Sequence, residues 1–505
     1  MSISIYSLFI LGATFTCFLT PFFRYIALKK GFVDCPQRAR KVHYLATPRL
    51  GGAAILLSFL AVSAIAGLSV PQFEEMLWGA NPIIGFIIMG SIGIFVIGFL
   101  DDLARLSPKT KLLGEFVIAG LIVFYSNLTF TELKFLGFGS ILIPEFVGFT
   151  LSCMWIVGMT NSINLIDGLD GLASGITLLG LLAVSIVGYL VGILSVTWIT
   201  TLLIGCLLGF LVFNSRPASI FLGDCGSLTL GFLAGCFSLL ASFREGGALD
   251  GIFPVLAFAV PILDCVFAIF RRLMRGRSPF SPDMEHFHHR LMAKGLSHGK
   301  AVLVMWSASF SCSLVSIAAA FRKGDQLFAV LVFFGMGGFI LLRYLGYFRF
   351  EFFGQSLSSL MEDRRSTQTA EQSIKDAELM LQESNDLQNL HKVLEKAAEG
   401  MQFQEATISF YEENGRLGTK LESGNTNIIG KEVSWKDPNY SGYYSRDSEF
   451  IAEFPISGRQ FAYGNILYRF IDNRNKLEVH EEVLLERIHD ALYVFAAKLR
   501  KQTKY

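Results

Sequence analysis

The stretch Asn161–Gly171 reads NSINLIDGLDG and lies between two apolar segments, 143–160 and 172–191, each long enough to cross a membrane. A charged side chain at the centre of a bilayer costs roughly 2.5 to 3.5 kcal/mol, so we expect Asp167 and Asp170 at a membrane face or in a wet cavity. Amide and carboxylate oxygens beside small residues suit a hard divalent cation or the polar groups of a ligand. The alternative is a polar turn between two helices.

The composition of the whole chain is that of a polytopic membrane protein. Its 505 residues are 52% hydrophobic, and the mean hydropathy is +0.49. The first apolar run lacks a basic segment and a cleavage site, so we expect it to remain a span rather than to be removed as a signal peptide. Hydropathy predicts an all-α bundle of about eleven transmembrane helices, near residues 3–26, 50–70, 81–100, 112–127, 143–160, 172–191, 194–213, 226–243, 251–270, 301–321 and 326–345.

Basic residues are concentrated on alternate loops of this predicted bundle. One set of loops is rich in Lys and Arg, whereas the other holds only Lys134, Arg244, Arg322 and Lys323. The positive-inside rule makes the rich set cytoplasmic, with the N-terminus outside and the tail in the cytosol. The acidic residues of the bundle gather on the same side. This favours a site for a phosphorylated, metal-bound cytosolic ligand over a merely solvated loop face.

Residues 351–505 form a polar tail with 19 Lys or Arg against 25 Asp or Glu. The chain has no basic stripe of the kind that binds nucleic acid. Alternating apolar runs and a last amphipathic helix predict a cytosolic α+β domain over 401–505, weakly similar to GAF-type sensory domains, with a regulatory, oligomerising or purely structural role. Apolar residues at helical spacing predict a linker helix over 351–400, or a coiled coil that forms a homodimer: Ile374, Ala377, Leu381, Leu387, Leu390 and Leu394.

Two acidic residues stand side by side at the end of a predicted span, in the stretch GFLDDLARLSPKTKLLGE that begins at Gly98. Asp101 and Asp102 repel one another unless a cation or a proton relieves them, which is how general bases and metal neighbours arise. Lys111 follows within reach to neutralise them or to hold a phosphate. The alternative is a helix cap with lysines that extend to the interface.

A further polar motif, NSRPASIFLGDCGSLTLG, begins at Asn214. It places Asp224 between Gly223 and Gly226, where a metal can approach the carboxylate closely. Phe221 is suited to stack on a planar base, although by itself it reads as a lipid-facing or core residue.

Histidines cluster in a basic loop as His286, His288 and His289, followed by Arg290. Three histidines suggest zinc, but this pattern has no clear fourth ligand. The cationic surroundings favour contact with phosphate oxygens, with a plain cytoplasmic loop as the alternative. In the first loop, His43 reads either as a phosphate contact or as an interfacial structural residue.

Taken in order, five motifs resemble those of the polyprenyl-phosphate N-acetylhexosamine-1-phosphate transferases, in the bacterial branch that acts on UDP-GlcNAc or a related UDP-amino sugar. The motifs are KVHYLATPRLGG, the Asp101–Asp102 pair, NSINLIDGLDGLA, GDCGS and HFHHR. The resemblance covers about residues 1–345. It implies a transmembrane sugar-1-phosphate transferase domain over 1–350, in the bacterial plasma membrane, with its active site at the cytoplasmic face.

The resemblance also implies roles for single residues. Asn164 and Asp224 would bind Mg²⁺, for which Mn²⁺ is the expected substitute. Asp101 or Asp102 would engage or deprotonate the lipid phosphate, and which of them does so is left open. Asp167 would complete the acidic catalytic pocket.

The remaining residues implied by the family bind substrate. Contacts with the uridine would come from Asp170, Asn214 and Phe221. Phosphates would be held by Lys111, His289 and Arg290, with His288 beside them as a further substrate-binding residue.

The implied reaction is attack by undecaprenyl phosphate on the β-phosphorus of a UDP-N-acetyl sugar, most simply UDP-GlcNAc. UMP is released and a lipid-linked cell-envelope glycan, such as a cell-wall polymer or O-antigen, is begun. The HFHHR motif lacks the three consecutive histidines of the branch that acts on UDP-MurNAc-pentapeptide, which disfavours that substrate. Ala46 stands where many relatives have proline, a departure that removes none of the implied ligands.

Two other classes compete with this interpretation. A transporter also carries carboxylates and histidines within its spans, but those should lie at mid-membrane depth or on both faces. A sensor that uses the bundle only as an anchor would not need five polar motifs in this order.

Overall fold

The computed structural model describes residues 4–34, 47–79, 82–104, 106–135, 139–242, 252–274, 285–321, 357–384, 387–413, 416–417, 419–420, 429–437, 449–457, 461–471 and 479–502, with the single positions 278, 335, 338 and 343. The chain forms two compact units. The membrane unit comprises Met1–Phe270 and Glu285–Arg349, and the C-terminal unit comprises Arg271–Met284 and Phe350–Tyr505. Lys41, His43 and Ala46 of the first motif lie outside the described residues.

Helices make up most of the described chain up to Phe321. In chain order they are α1 (Ile5–Lys30), α2 (Gly51–Ser69), α3 (Pro71–Trp78), α4 (Ile83–Ala104), α5 (Pro108–Ser126), α6 (Glu145–Ile166), α7 (Leu172–Val191), α8 (Leu194–Asn214), α9 (Asp224–Ala241), α10 (Ile252–Ala257), α11 (Ala259–Met274), α12 (Phe287–Ala293) and α13 (His298–Phe321).

Eight of these helices are long and apolar enough to cross a membrane, counted over the described part of the chain: α1, α2, α4, α6, α7, α8, α9 and α13. The prediction of a helical membrane bundle is therefore confirmed, whereas the count of eleven is not. The predicted span 112–127 is a helix, α5, that falls outside this set. The predicted span 326–345 lies almost entirely outside the described residues.

The predicted span 251–270 is divided at Phe258 into α10 and α11. The physical reason is Pro261, which has no N–H to donate to the carbonyl of Ala257 and so interrupts the helical hydrogen bonds at that point. Hydropathy depends only on how apolar the run is, so it does not predict such a break.

Glycines allow the closest helix contacts of the bundle. A Cβ atom on Gly205 or Gly209 of α8 would collide with the backbone of Phe9 or Ala13 in α1. Likewise a Cβ on Gly98 of α4 would lie 2.5 Å from the carbonyl oxygen of Asp224 in α9. Small residues at such crossings let membrane helices approach backbone to backbone. They hold α9, the most buried of the candidate spans, against its neighbours.

Two short antiparallel strand pairs complete the described membrane unit. β1 (Val33–Asp34) pairs with β2 (Thr47–Pro48), and β3 (Glu132–Phe135) pairs with β4 (Gly139–Leu142). Pro48 also accepts a hydrogen bond from the backbone N–H of Phe221, at 2.8 Å. The chain before α2 is thereby tied to the segment before α9.

The C-terminal unit combines helices with an antiparallel sheet. Strands β5 (Glu405–Glu413) and β10 (Phe461–Ile471) lie at the centre, with β8 (Ile429–Lys436) beside β5 and β9 (Glu449–Ser457) beside β10. The short strands β6 (Arg416–Leu417) and β7 (Thr419–Lys420) extend this sheet. The helices are α14 (Leu357–Glu383), α15 (Leu390–Met401) and α16 (Val479–Gln502).

The apolar stripe predicted for the linker is buried within this unit. Ile374, Ala377 and Leu381 of α14 join residues of the sheet and of α16 in one hydrophobic core. Apolar residues from Ala370 to Met401 are therefore part of the C-terminal unit's own core, and the stripe is covered without a second copy. The likeness to GAF domains and the formation of a dimer both remain predictions.

Candidate active site

The predicted site residues lie at the ends of antiparallel helices, and those ends meet at one side of the bundle. Helices that alternate in direction bring the C-terminal ends of α4, α6 and α8 together with the N-terminal ends of α5, α7 and α9. The side chains carried there include Asp101 and Asp102 from α4, Lys111 from α5, Asn164 from α6, Asn214 from α8 and Asp224 from α9.

Lys111 is the centre of a charged cluster at this end. Its ammonium donates to Asp101 Oδ2 at 2.8 Å and to Asn164 Oδ1 at 3.3 Å, and it lies 3.8 Å from Asp224 Oδ2. Asn164 Nδ2 in turn donates to Asp224 Oδ1 at 2.6 Å. Four helices thus place two carboxylates, an amide and an ammonium in mutual contact, as the charge pattern of the sequence predicts.

Asp102, next to Asp101 in the chain, has different partners. Its Oδ1 and Oδ2 atoms accept hydrogen bonds from the backbone N–H groups of Asp224 and Cys225, each at 3.0 Å. Asp102 therefore caps the N-terminus of α9, where a negative charge is favourable because the first N–H groups of a helix lack internal acceptors. The two adjacent carboxylates thus point to different partners.

The loop between α6 and α7 carries Asp167 and Asp170. Burial, and repulsion from Asp224 and Asp102, raise the pKa of Asp167 to about 7. Asp170 is held in place by its backbone N–H, which donates to His298 Nε2 at 3.0 Å, and by its carboxylate, which accepts from the N–H of Ala218 at 3.2 Å. The loop is thus attached both to α13 and to the segment before α9.

Asn214 and Phe221 lie near the two ends of the segment that joins α8 to α9. Asn214 is only 4% exposed; its Oδ1 accepts from Ser174 Oγ at 2.8 Å and its Nδ2 donates to the carbonyl of Ile220 at 3.0 Å. These bonds fix the course of the segment that displays Phe221, whose side chain is half-buried. The amide of Asn214 is thus engaged by the fold itself.

The histidine motif forms α12 and its cap. His286 Nδ1 lies 2.9 Å from Asp264 Oδ2, and the backbone N–H of Phe287 donates to Asp264 Oδ1 at 2.8 Å. His288 is buried against Gly168 of the α6–α7 loop. Burial and the neighbouring histidines lower the pKa of His288 to about 3, so this ring is neutral and suited to hydrogen bonding rather than to charge pairing.

His289 and Arg290 complete the motif beside His288. The rings of His288 and His289 lie 4.2 Å apart, and Arg290 Nη2 donates to Glu285 Oε2 at 2.6 Å.

Sequence reasoning did not assign a role to three residues that support these elements: Glu115, Asp264 and His298. Glu115 is a single carboxylate within the apolar part of α5 and is fully buried. An acidic residue isolated in an apolar helix was the feature of the sequence that could have indicated a role for Glu115. Asp264 and His298 act through contacts with segments distant in sequence, for which spacing offers no signal.

A divalent cation fits the cluster only as an ion shared with substrate. Over the described residues, no group of three or more His, Cys, Asp or Glu side chains is placed to hold a metal by itself. Mg²⁺ is commonly bound by one or two carboxylates together with substrate phosphates. Asp224 is a carboxylate that a cation could share with substrate in this way, and the Asn164 side chain lies beside it, with Nδ2 2.6 Å from Asp224 Oδ1.

Comparison with known proteins identifies the family. The family model described as glycosyl transferase family 4 matches residues 84–242, which include the Asp101–Asp102, NSINLIDGLDG and GDCGS motifs. A probable undecaprenyl-phosphate N-acetylglucosaminyl 1-phosphate transferase of Bacillus subtilis is 37% identical over 316 residues, 61% of this chain and 83% of that relative.

Two further matches each cover most of the relative's length. A decaprenyl-phosphate N-acetylglucosaminephosphotransferase of Mycolicibacterium smegmatis is 33% identical over 318 residues, 58% of this chain and 77% of the relative. A phospho-N-acetylmuramoyl-pentapeptide-transferase of Staphylococcus aureus is 31% identical over 284 residues, 54% of this chain and 84% of the relative. This chain therefore belongs to glycosyl transferase family 4, as its five motifs predict.

Proposed function

We propose that the protein transfers an N-acetylhexosamine 1-phosphate, with GlcNAc 1-phosphate as the first candidate, from its UDP derivative to undecaprenyl phosphate in the presence of Mg²⁺. The observation that carries this proposal is the contact of Lys111 with Asp101, Asn164 and Asp224 at one end of a membrane bundle. Such a location can be reached by a water-soluble nucleotide sugar and by the head group of a membrane lipid.

In the proposed reaction an oxygen of the lipid phosphate attacks the β-phosphorus of the UDP-sugar. A new P–O bond forms, the bond from the β-phosphorus to the bridging oxygen breaks, and UMP leaves with that oxygen. Both reactants are anions, so the protein must chiefly align them and neutralise their charge. Lys111 supplies positive charge at the centre of the cluster, with His289 and Arg290 as proposed phosphate contacts.

Asn164 and Asp224 are the proposed Mg²⁺ ligands, and Mn²⁺ is the expected substitute. When bound, the cation would neutralise phosphate charge as the leaving UMP develops. Lys111 sits beside both ligand side chains, where it balances the negative charge of Asp224 before substrate arrives.

Of the two adjacent carboxylates, Asp101 is the proposed partner of the lipid phosphate. Both oxygens of Asp102 accept backbone hydrogen bonds at the start of α9, whereas Asp101 uses only Oδ1 for a backbone N–H, that of Leu106, and its Oδ2 faces Lys111. Asp101 can therefore exchange its contact with Lys111 for one with substrate without opening a helix terminus. On the α6–α7 loop, Asp167 lies near enough to Asp224 and Asp102 to be repelled by them, whereas Asp170 contacts His298 and Ala218.

The names of the relatives favour GlcNAc as the sugar. The relatives from B. subtilis and M. smegmatis are both named for N-acetylglucosamine, and the S. aureus relative named for N-acetylmuramoyl-pentapeptide is less similar. The HFHHR motif points the same way. We further propose that the charged end of the bundle faces the cytoplasm, where UDP-sugars are made, and that the product begins a cell-envelope glycan.

The test is UMP release by the full-length protein in detergent, given undecaprenyl phosphate, Mg²⁺ and a panel of UDP-sugars. We expect release with UDP-GlcNAc, its loss on addition of EDTA and its recovery with Mg²⁺ or Mn²⁺. Release only with another UDP-N-acetyl sugar would keep the chemistry and change the sugar. A folded protein that releases UMP from none of them would contradict the proposal.

Variants of two lysines in α5 make this test specific. Lys111→Met should lower kcat/KM by at least about 100-fold, which corresponds to about 2.7 kcal/mol, because it removes the central cation. Lys109→Met removes an exposed lysine two residues earlier and should leave activity within about twofold. Equal losses in both variants would mean that general surface charge, and not the cluster, is responsible.

A further inference from the structure

Glu115 is a carboxylate on the apolar stretch of α5, with none of its surface exposed. A charged group at such a depth is expensive unless it has a partner. Its Oε2 atom accepts a hydrogen bond from Asn161 Nδ2 of α6. Its Oε1 atom has no hydrogen-bond partner over the described residues. A residue this costly needs an explanation beyond packing, and the proposed transfer chemistry uses neither Glu115 nor Asn161.

The spacing along each helix relates this pair to the charged cluster. Lys111 and Glu115 lie four residues apart on α5, and Asn161 and Asn164 lie three residues apart on α6, so each pair shares a helix face. Across the two helices, Lys111 donates to Asn164 and Asn161 donates to Glu115. The helices are therefore joined by two polar contacts, one at the site and one a turn deeper.

We infer that Glu115 is a positioning residue of the transferase site. By holding Asn161, it fixes the rotation of α6 against α5 and so sets the distance between Lys111 and Asn164. This inference rests on the proposed function, since it assigns Glu115 a part in placing the cation and the metal ligand of that site.

The inference follows from the geometry of helix rotation. α5 and α6 pack as neighbours, and apolar side chains alone would permit small rotations about each axis. A hydrogen bond between a fixed donor and a fixed acceptor constrains such rotations because its strength falls steeply with angle. The Glu115 carboxylate also attracts the Lys111 ammonium from the next turn. Glutamine at 115 would keep the acceptor and lose this attraction.

The experiment exchanges donor and acceptor across the contact. Asn161→Asp alone would set two carboxylates against each other, and kcat should fall at least 30-fold. Adding Glu115→Gln restores one donor facing one acceptor, and the double variant should recover to within about fivefold of the wild type. Glu115→Gln alone keeps an acceptor for Asn161 and should lose less than about fivefold.

A second readout separates positioning from simple loss of fold. Asn164 is a proposed Mg²⁺ ligand, so the Mg²⁺ concentration for half-maximal activity should rise at least threefold in Asn161→Asp and return in the double variant. Partial unfolding would reduce the amount of active enzyme but leave this concentration unchanged. Thr160→Val is the matched control: Thr160 is fully buried on α6, and its hydroxyl donates within its own helix, to the carbonyl of Ile156.

The outcomes are distinguishable from failure of the proposed function. If the wild type transfers GlcNAc 1-phosphate but the double variant is no better than Asn161→Asp, the positioning inference is overturned and the function stands. The positioning inference is likewise overturned if the half-maximal Mg²⁺ concentration does not move in a poorly active Asn161→Asp enzyme. If the wild type releases no UMP, the proposed function itself fails.

Discussion

The carboxylate of Asp102 accepts a hydrogen bond from the backbone N–H of Asp224, with Oδ1 and N 3.0 Å apart. The second oxygen accepts from the next N–H, that of Cys225, so the bond pattern is that of a helix cap supplied by another helix. Asp224 is thus placed at the first turn of α9 by a carboxylate one residue away from Asp101. This relation ties the geometry of the proposed metal ligand to a residue that does not need to touch the metal.

The two adjacent carboxylates should therefore respond differently to removal. Asp102→Ala should lower the thermal midpoint of the membrane unit, since loss of a cap destabilises a helix by about 0.5–2 kcal/mol, and it should reduce activity through the displaced Asp224. Asp101→Ala should also lower the midpoint, because Asp101 accepts a hydrogen bond from the backbone N–H of Leu106 and pairs with Lys111, and it should reduce kcat at least 100-fold. Hydrogen exchange at the first turn of α9, corrected for intrinsic rates, separates the two variants, because it should rise in Asp102→Ala alone. Equal exchange there in both variants would contradict the capping role.

Much of this site was predictable because membrane helices alternate in direction. Once the spans were known, Asp101, Asn164 and Asp224 had to fall at ends of helices on one side, and the sequence predicted that clustering. The partners of each group were not predictable. The bonds of Asn214 go to Ser174 and to a backbone carbonyl, and nothing in the local pattern distinguishes these from contacts with a ligand.

The apolar stripe of the tail illustrates the same limit. Helical spacing predicted a linker helix or a coiled coil, and Ile374, Ala377 and Leu381 of its apolar stripe are buried. Periodicity defines a face of a helix but does not identify what covers it, and here the cover is the sheet and α16 of the same unit. For that reason spacing alone did not distinguish a coiled coil from a domain core.

Close packing of α4 on α9 gives a prediction about Gly98. A Cβ atom there would come within 2.5 Å of the Asp224 carbonyl oxygen and 2.6 Å of Cys225 Cα, and backbone atoms cannot rotate aside. Gly98→Ala should destabilise the membrane unit by about 1–3 kcal/mol and reduce UMP release at least tenfold. Gly158→Ala in α6 is the control, because a Cβ atom at Gly158 would meet no atom within 4 Å. Normal activity of Gly98→Ala would show that α4 can move away without consequence.

Asp167 gives a prediction about pH. Burial and the nearby carboxylates raise its pKa in the folded protein to about 7, above the value of about 3.9 for a free aspartate. The folded state therefore binds the proton more tightly, and the contribution of this group to stability should fall as pH rises from about 4 to 7 and then level off. Asp167→Asn mimics the protonated form and should not lose stability in this range.

The measurement compares thermal midpoints of Asp167→Asn and the wild type from about pH 5 to 8, in EDTA so that no bound cation offsets the charge. The thermal midpoint of the variant should exceed that of the wild type by an amount that grows with pH and reaches a plateau above about pH 7. A constant difference between the two proteins would show that Asp167 ionises at its ordinary pKa.

His489 gives a prediction of opposite sign in the C-terminal unit. Its ring packs 4.4 Å from that of Phe454 and 5.9 Å from that of Tyr468, and burial lowers its pKa to about 3. The unfolded chain binds a proton at about pH 6.5, so the unit should lose stability as pH falls from about 6.5 towards 3, by at most about 1.4 kcal/mol per pH unit from this group.

Hydrogen exchange of β5 and β10 peptides in the full-length protein, corrected for intrinsic rates, follows this loss. His489→Phe should flatten the acid limb, whereas His391→Phe, at an exposed position on α15, should not. An unchanged limb in His489→Phe would show that other groups govern the acid sensitivity of this unit.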